Sequence, residues 1–306
     1  MEIRMNIVFC FDENMMFPAS VAVASLLDRK RKEEHFDIYC VCSGQAMQQT
    51  QYIRQLIETR DRESHLIVYE APDSFDESYE VRGISRSTYF RLSVHRILGH
   101  LNKVIYSDVD VLFGGSLSDM WNTEMGDYLL AGVKGANNFP KTWEMLQRMG
   151  YAKELEGLCG KYINAGILLM NLEAIRDLNP DRVWLDMTRK QYHYQDQDIL
   201  NITCKGRILF LPLQNNVAAH LTKKDFGLYA REGIYTGKEQ EEAWERPRVL
   251  HYTGEKPWNN RGTHKASHWW RYVDSQTDLS CLFDKHKIKN RKSTGLIGKI
   301  NRHLPW

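Results

Sequence analysis

As far as Phe113, short apolar runs alternate with helical patterns, and this alternation restricts the possible folds more than any other feature of the chain. MNIVFCF, FDIYCVCSG and HLIVYEA each read as a buried strand. PASVAVASLL reads as a helix with Pro18 in its first turn, and Gln45 to Arg60 as a second helix. Ile84, Tyr89, Leu92 and Ile97 recur at helical spacing and predict a third helix from Ile84 to Leu98. The next strand is KVIYSDVDVLF, Lys103 to Phe113. Strands separated by helices in this way build a largely parallel sheet with helices on both faces. Beyond it, YINAGILLMNL reads as a further strand, Leu172 to Arg189 as helix, and YQDQDILN as the opening of another helix, followed by RILFLPL. Between 220 and 262 the sequence reads as loops except for RVLHYTG, a short strand.

The chain of 306 residues allows one large α/β domain, or a core domain with a small appendage. With 41 Lys and Arg against 39 Asp and Glu, the formal charge of +2 favours neither a nucleic-acid binder nor an acidic protein. No apolar run approaches the roughly 20 residues of a membrane span. The opening MEIRMNIVFCF enters a strand too directly for a signal peptide. Cys10, Cys40, Cys42, Cys159, Cys204 and Cys281 form no C-x-x-C pair, and most lie in apolar segments. They are expected to be reduced core thiols of a cytosolic protein, which argues against a structural zinc site.

Chemistry concentrates at the ends of the expected strands. Asp108 and Asp110 stand two apart on KVIYSDVDVLF and so share one face. Carboxylates at the carboxyl end of such a strand lie where open α/β sheets bind ligands. Their mutual repulsion is relieved by a hard divalent cation, although strand-end aspartates also cap turns. His251 ends RVLHYTG and could complete an Asp–Asp–His set or be a satisfied core histidine. Gly254 permits close backbone approach, and Lys256 offers a point charge to phosphate. Asp12 and Asn14, just past the first strand, suit the edge of a base or a ribose, and Asn14 equally suits a helix cap. Arg91 can pair internally or reach a phosphate or a strand-end carboxylate. Asp196, Gln197 and Asp198 are consecutive polar residues at a helix start, and Asn164 is a polar residue within an apolar strand. Together they describe a site for a diphosphate ligand and a divalent cation.

These segments resemble the retaining glycosyltransferases of family 8, the group that includes glycogenin and the bacterial lipopolysaccharide galactosyl- and glucosyltransferases. FCFDEN, ISRSTYFRL, YSDVDVLF, YINAGILLMNL, YQDQDILN and HYTGEKPW occur in the family's order, from about residue 5 to 260. The lipopolysaccharide branch is the nearest fit, on chain length and the basic tail. The resemblance implies a single α/β domain of the GT-A, Rossmann-like, nucleotide-sugar-binding type, with a mixed, mainly parallel sheet. It implies Mn²⁺ or Mg²⁺ on Asp108, Asp110 and His251, with Val109 between the carboxylates. It places the uridine on Asp12 and Asn14 with the backbone of Cys10 and Ile84 nearby, and Arg91 near the donor sugar and metal. Phosphate contacts fall on Gly254 and Lys256, donor-sugar contacts on Asn164 and Ala165, and Asp196 and Gln197 lie beneath the anomeric carbon. The HYTG loop departs in having one residue between Gly254 and Lys256 where some members have two. The activity implied is transfer of galactose or glucose from a UDP-sugar to a saccharide hydroxyl. A nucleotide-sugar hydrolase or pyrophosphorylase-like enzyme, and a silent UDP-sugar-binding relative, are the alternatives. A pyrophosphorylase would show a Gly-rich loop after the first strand, and FCFDEN is not one.

Two segments stand apart. Residues 1–280 read as the glycosyltransferase domain and 281–306 as a tail. From Lys285 the tail carries Lys287, Lys289, Arg291, Lys292, Lys299 and Arg302, with Leu296, Ile297, Ile300, Leu304 and Trp306 among them. That mixture fits an interfacial segment on an anionic membrane, the inner face of the cell membrane, beside a lipid-linked acceptor. A solvated basic tail is the plainer alternative. Lys134 to Gly160, rich in aromatic and charged residues, is expected to fold over the site or line its acceptor side.

Overall fold

The computed structural model describes residues 2–80 and 86–285. Ile84 and the chain from 286 onward lie outside the described residues. Among the described residues ten strands occur in chain order: β1 Ile3–Phe11, β2 Glu34–Cys42, β3 His65–Glu70, β4 Lys103–Ser107, β5 Val111–Phe113, β6 Leu130–Lys134, β7 Ile163–Asn171, β8 Ile208–Phe210, β9 Val217–Ala218 and β10 Val249–His251. A seven-stranded sheet runs β3-β2-β1-β4-β7-β6-β8, and a three-stranded sheet runs β5-β10-β9. In the large sheet β1–β2, β2–β3, β1–β4 and β6–β8 are parallel, while β4–β7 and β6–β7 are antiparallel. The expected mixed, mainly parallel sheet is the one found.

The central strand explains its own sequence. From Ile7 to Phe11 every residue of β1 is buried, because helices cover both sheet faces. Ile7, Phe9 and Phe11 pack in the core that holds the helix Met16–Arg29, and Val8 and Cys10 in the core that holds Tyr89, Trp184 and Ile199. The chain steps outward from β1 to β3 and then returns to β4 on the other side of β1. This reversal of strand order leaves a crevice at the carboxyl ends of β1 and β4.

Several elements differ from the sequence expectation. KVIYSDVDVLF is two strands: β4 stops at Ser107, Asp108 to Asp110 carry the chain out of the large sheet, and β5 enters the small one. The described part of Ile84–Leu98 is a 3-10 helix, Arg86–Ser93, with one α turn, Val94–Ile97. Its hydroxyl and aromatic residues are poor α formers, and Arg91 Nε donates to the Thr88 carbonyl at 3.1 Å. The stretch from Leu172 to Arg189 is two helices, Leu172–Leu178 and Asp181–Thr188. Asn179 caps the first in the left-handed region (φ 49°), and Pro180 follows. The region expected to be loops contains the helix Gly237–Glu245, started by a capping box between Thr236 and Glu239. No helix among the described residues is long and apolar enough to cross a membrane.

Candidate active site

The two sheets part at Asp108 and Asp110, and β10 brings His251 against both. His251 Nε2 lies 3.6 Å from Asp108 Oδ2 and 3.3 Å from Asp110 Oδ1. One ligand atom from each residue fits within a span of 4.8 Å. His251 is held by β5 on one side (opposite Val111) and by β9 on the other (opposite Ala218). Gly166 forms the floor: a Cβ there would lie 2.0 Å from His251 Cε1 and 2.9 Å from Asp108 Oδ2, so only glycine allows this approach. Two carboxylates and an imidazole on a closely cradled point fit a divalent cation such as Mn²⁺ or Mg²⁺. Burial alone would raise the pKa of Asp110, but the Lys256 ammonium at 2.5 Å and His251 hold it well below the usual carboxylate range.

Arg91 ties this cluster to the helix that begins at Asp196. Its Nη2 donates to Asp108 Oδ1 at 2.8 Å and its Nη1 to the Ala165 carbonyl at 2.6 Å. The guanidinium lies 4.5 Å above the Tyr106 ring, and Tyr106 Oη also donates to Asp108 Oδ1, at 2.6 Å. Arg91 Nε is 2.8 Å from Asp196 Oδ2 but points its hydrogen at the Thr88 carbonyl, so that carboxylate oxygen has charge beside it and no aligned donor. Of the roles open to Arg91, the structure shows contact with a strand-end carboxylate, Asp108, together with the ion pair to Asp196. The Thr88 hydroxyl donates to Asp196 Oδ1 at 2.6 Å. Burial pushes the Asp196 carboxyl up to about 6, against the opposing pull of Arg91 and Thr88.

The helix Asp196–Thr203 begins in strained backbone. Gln195 sits at φ 47°, ψ −121°, held by its side-chain donation to the Tyr79 carbonyl at 3.1 Å. Gln197 next to Asp196 is oriented by the Ala165 amide, which donates to its Oε1 at 3.0 Å, and its Nε2 lies 3.4 Å from Tyr162 Oη. Asp198 faces the other way and accepts from Tyr162 Oη at 2.5 Å, Tyr151 Oη at 2.9 Å and the Tyr194 amide at 2.8 Å. Of the three polar residues, Asp196 and Gln197 line the pocket and Asp198 anchors its wall.

The pocket has a volume of about 640 Å³. Its lining includes Cys10, Asp12, Asn14, Val109, Asn164 and Ala165, along with the metal-type cluster and Lys256. Asp12 caps the turn Glu13–Met15 through the Asn14 amide at 3.0 Å and accepts from the Ser87 hydroxyl at 3.2 Å. Asn164 Oδ1 accepts from the Gly166 amide at 2.9 Å and from Asn216 Nδ2 at 2.8 Å. Gly254 is exposed and outside the lining; a Cβ there would make only an ordinary contact with His220. From the segment 134–160, Gly135, Ala136, Asn137 and Thr142 reach the pocket. Sequence reasoning missed Thr88, Gly166 and Asn216. The signals available were the glycine of YINAG, the polar pair Asn215–Asn216 inside LPLQNNVAA, and a threonine three residues before Arg91.

Known proteins share this architecture. A putative glycosyltransferase of Haemophilus influenzae is 33% identical over 191 residues, covering 60% of this chain and 52% of that protein. The chain therefore spans about half the length of that relative. Lipopolysaccharide 1,2-glucosyltransferase of Escherichia coli is 25% identical over 239 residues, covering 71% of this chain and 66% of that protein. The crystal structure of the galactosyltransferase LgtC in complex with donor and acceptor sugar analogues matches with a TM-score of 0.71 at 25% identity. It covers 89% of this chain and 96% of that one, and the fold found here matches that of GT-A glycosyltransferases. The family model for glycosyl transferase family 8 matches residues 6–262, and the chain belongs to that family.

Proposed function

We propose that the protein is a metal-dependent retaining glycosyltransferase. It takes galactose or glucose from a UDP-sugar and joins it in α linkage to a saccharide hydroxyl, in the synthesis of lipopolysaccharide or another surface glycan. The observation that carries this is the gathering of Asp108, Asp110 and His251 in the lining of the pocket, by the carboxyl ends of β1 and β4. The names of the Escherichia coli relative and of LgtC support the choice of donor sugar and acceptor class.

Mn²⁺ or Mg²⁺, held by Asp108, Asp110 and His251, would offset the negative charge that develops on the departing diphosphate. Asp12, Asn14 and the Cys10 backbone serve the uridine; Ile84 belongs to that group by family resemblance. Lys256, with Gly254 beside it, takes a phosphate oxygen in exchange for its contact with Asp110. Asn164 and Ala165 line the donor sugar, and Arg91 fixes Asp108 and Asp196 relative to each other. Asp196 Oδ1 accepts from Thr88 and Oδ2 has the Arg91 cation beside it, which damps its nucleophilicity, and Gln197 is an amide. This favours front-side substitution. The acceptor oxygen bonds to the anomeric carbon on the face from which the phosphate leaves, and the acceptor's proton passes to the leaving phosphate oxygen. The Gln197 amide dipole stabilises the oxocarbenium-like transition state. The tail from Lys285 would hold the protein on an anionic membrane surface, within reach of a lipid-linked acceptor.

Calorimetric titration of UDP tests the site. UDP should bind tightly with Mn²⁺ and weakly with EDTA, and Asp110→Asn should lose the difference. Equal affinity under both conditions would remove the cation from the site.

A further inference from the structure

The imidazole of His251 is not held by the carboxylates alone. Behind it runs a chain of two side-chain amides, Asn216 buried and Asn164 half-buried, that ends on a backbone N–H. The Gly166 amide can only donate, so the Asn164 atom 2.9 Å from it is the side-chain oxygen. The same oxygen lies 2.8 Å from the side chain of Asn216, which must therefore present its NH₂ group there. The other terminal atom of Asn216, its oxygen, then faces His251 Nδ1 at 3.0 Å. An oxygen in that place requires a hydrogen on Nδ1. In the neutral ring this leaves the lone pair on Nε2, the nitrogen aimed at Asp108 Oδ2 and Asp110 Oδ1. Asn216 is 4% exposed and His251 is 2% exposed, so water does not compete for these positions.

We infer that Asn216 is a positioning residue for the cation site: through Asn164 and the Gly166 amide, it fixes the His251 tautomer that keeps Nε2 free to ligate. Placement in the chain agrees. Asn216 immediately precedes β9, whose Ala218 pairs with His251, and the Ala219 amide donates to the His251 carbonyl at 2.7 Å. Gly166 also accepts from the Asp108 amide at 2.7 Å through its carbonyl. One glycine therefore registers Asp108 with its C=O and, through the two amides, His251 with its N–H. Groups that hold a metal-ligating imidazole by its other nitrogen typically change metal affinity about 10-fold to 100-fold when removed.

The inference rests on the proposed cation site but can be tested apart from it. Nitrogen NMR of the His251 ring, in metal-free protein at alkaline pH, reads the tautomer directly. The wild-type ring is expected to carry its hydrogen on Nδ1, and Asn216→Leu to give a mixture with the Nε2–H form. Mn²⁺ binding, followed by paramagnetic resonance, should weaken by about 10-fold to 100-fold in the same variant. A wild-type ring protonated on Nε2 would overturn the inference, even if Asn216→Leu does not fold. So would a folded Asn216→Leu with the wild-type tautomer and unchanged Mn²⁺ affinity. Absence of Mn²⁺ binding by the wild type would instead remove the proposed cation site, while the tautomer assignment would still stand or fall on the NMR spectrum.

Discussion

A methyl group on residue 166 would lie 2.0 Å from His251 Cε1, so the ring would have to leave its place beside the carboxylates. Gly166→Ala should therefore cost about 1–3 kcal/mol of stability through overpacking and more than about 10-fold in Mn²⁺ affinity. Denaturant unfolding and metal titration of one preparation check both; wild-type metal affinity would mean that the cluster is not a ligand set. Asp196 makes the opposite kind of demand. Its carboxyl, raised from 3.8 to about 6, holds a proton more tightly in the folded protein than in the unfolded chain. Its contribution to stability is therefore fully present below about pH 4 and is lost as pH rises through 6. Asp196→Asn should stabilise the fold at pH 7, by about 3 kcal/mol at most, and flatten that part of the stability profile. Turnover should fall by no more than about 10²-fold if the residue only shapes the transition state, whereas loss of a nucleophile costs on the order of 10⁶. The carboxylates of the site were legible in the sequence because a strand end and a spacing of two are local facts. Gly166, Thr88 and Asn216 were not, because each acts on a residue brought to it by another strand or helix. For Arg91 the sequence left its role open, and only the positions of Asp108 and Asp196 decide it.

Periodicity located most strands and missed the breaks in them. KVIYSDVDVLF looks continuous because apolar residues flank the aspartates, yet the two carboxylates sit where the chain changes sheets. The helix Gly237–Glu245 was hidden by a polar, loop-like composition, although Thr236 and Glu239 spell a capping box. The wall formed by residues 134–160 depends on Asp198. Trp143, Leu146, Leu155, Leu158 and Tyr162 make a small core of their own, and Tyr151 and Tyr162 both donate to that buried carboxylate. Asp198→Ala would leave two phenol hydroxyls without their acceptor and should cost about 1–3 kcal/mol, concentrated in this wall. Limited proteolysis should then cut the variant faster between 140 and 160 than the wild type. In the wild type, UDP with Mn²⁺ should slow cleavage there; a rate unaffected by either change would mean that the segment neither packs through Asp198 nor closes on the donor.

The strand order places the whole site. Because the chain reverses between β1 and β4, the ends of those strands open a crevice, and the small sheet carries His251 in from the side. The alternation of strands and helices predicted the parallel half of this arrangement. The antiparallel β7 was legible as a strand but not in direction, since direction follows from how the chain crosses the sheet. The basic tail adds a separate expectation. Removing residues 286–306 should abolish sedimentation with vesicles containing anionic lipid and leave UDP binding unchanged; vesicle binding that survives the deletion would place the membrane contact elsewhere. In the proposed function, this crevice breaks the bond between a sugar and a nucleoside diphosphate with a cation's help. Release of UDP from a panel of UDP-sugars, without acceptor and with Mn²⁺, Mg²⁺ or EDTA, tests it most directly. Slow release from UDP-galactose or UDP-glucose that depends on the cation and is lost in Asp110→Asn is the expected result; release that is indifferent to EDTA, or no binding of any UDP-sugar, would contradict it.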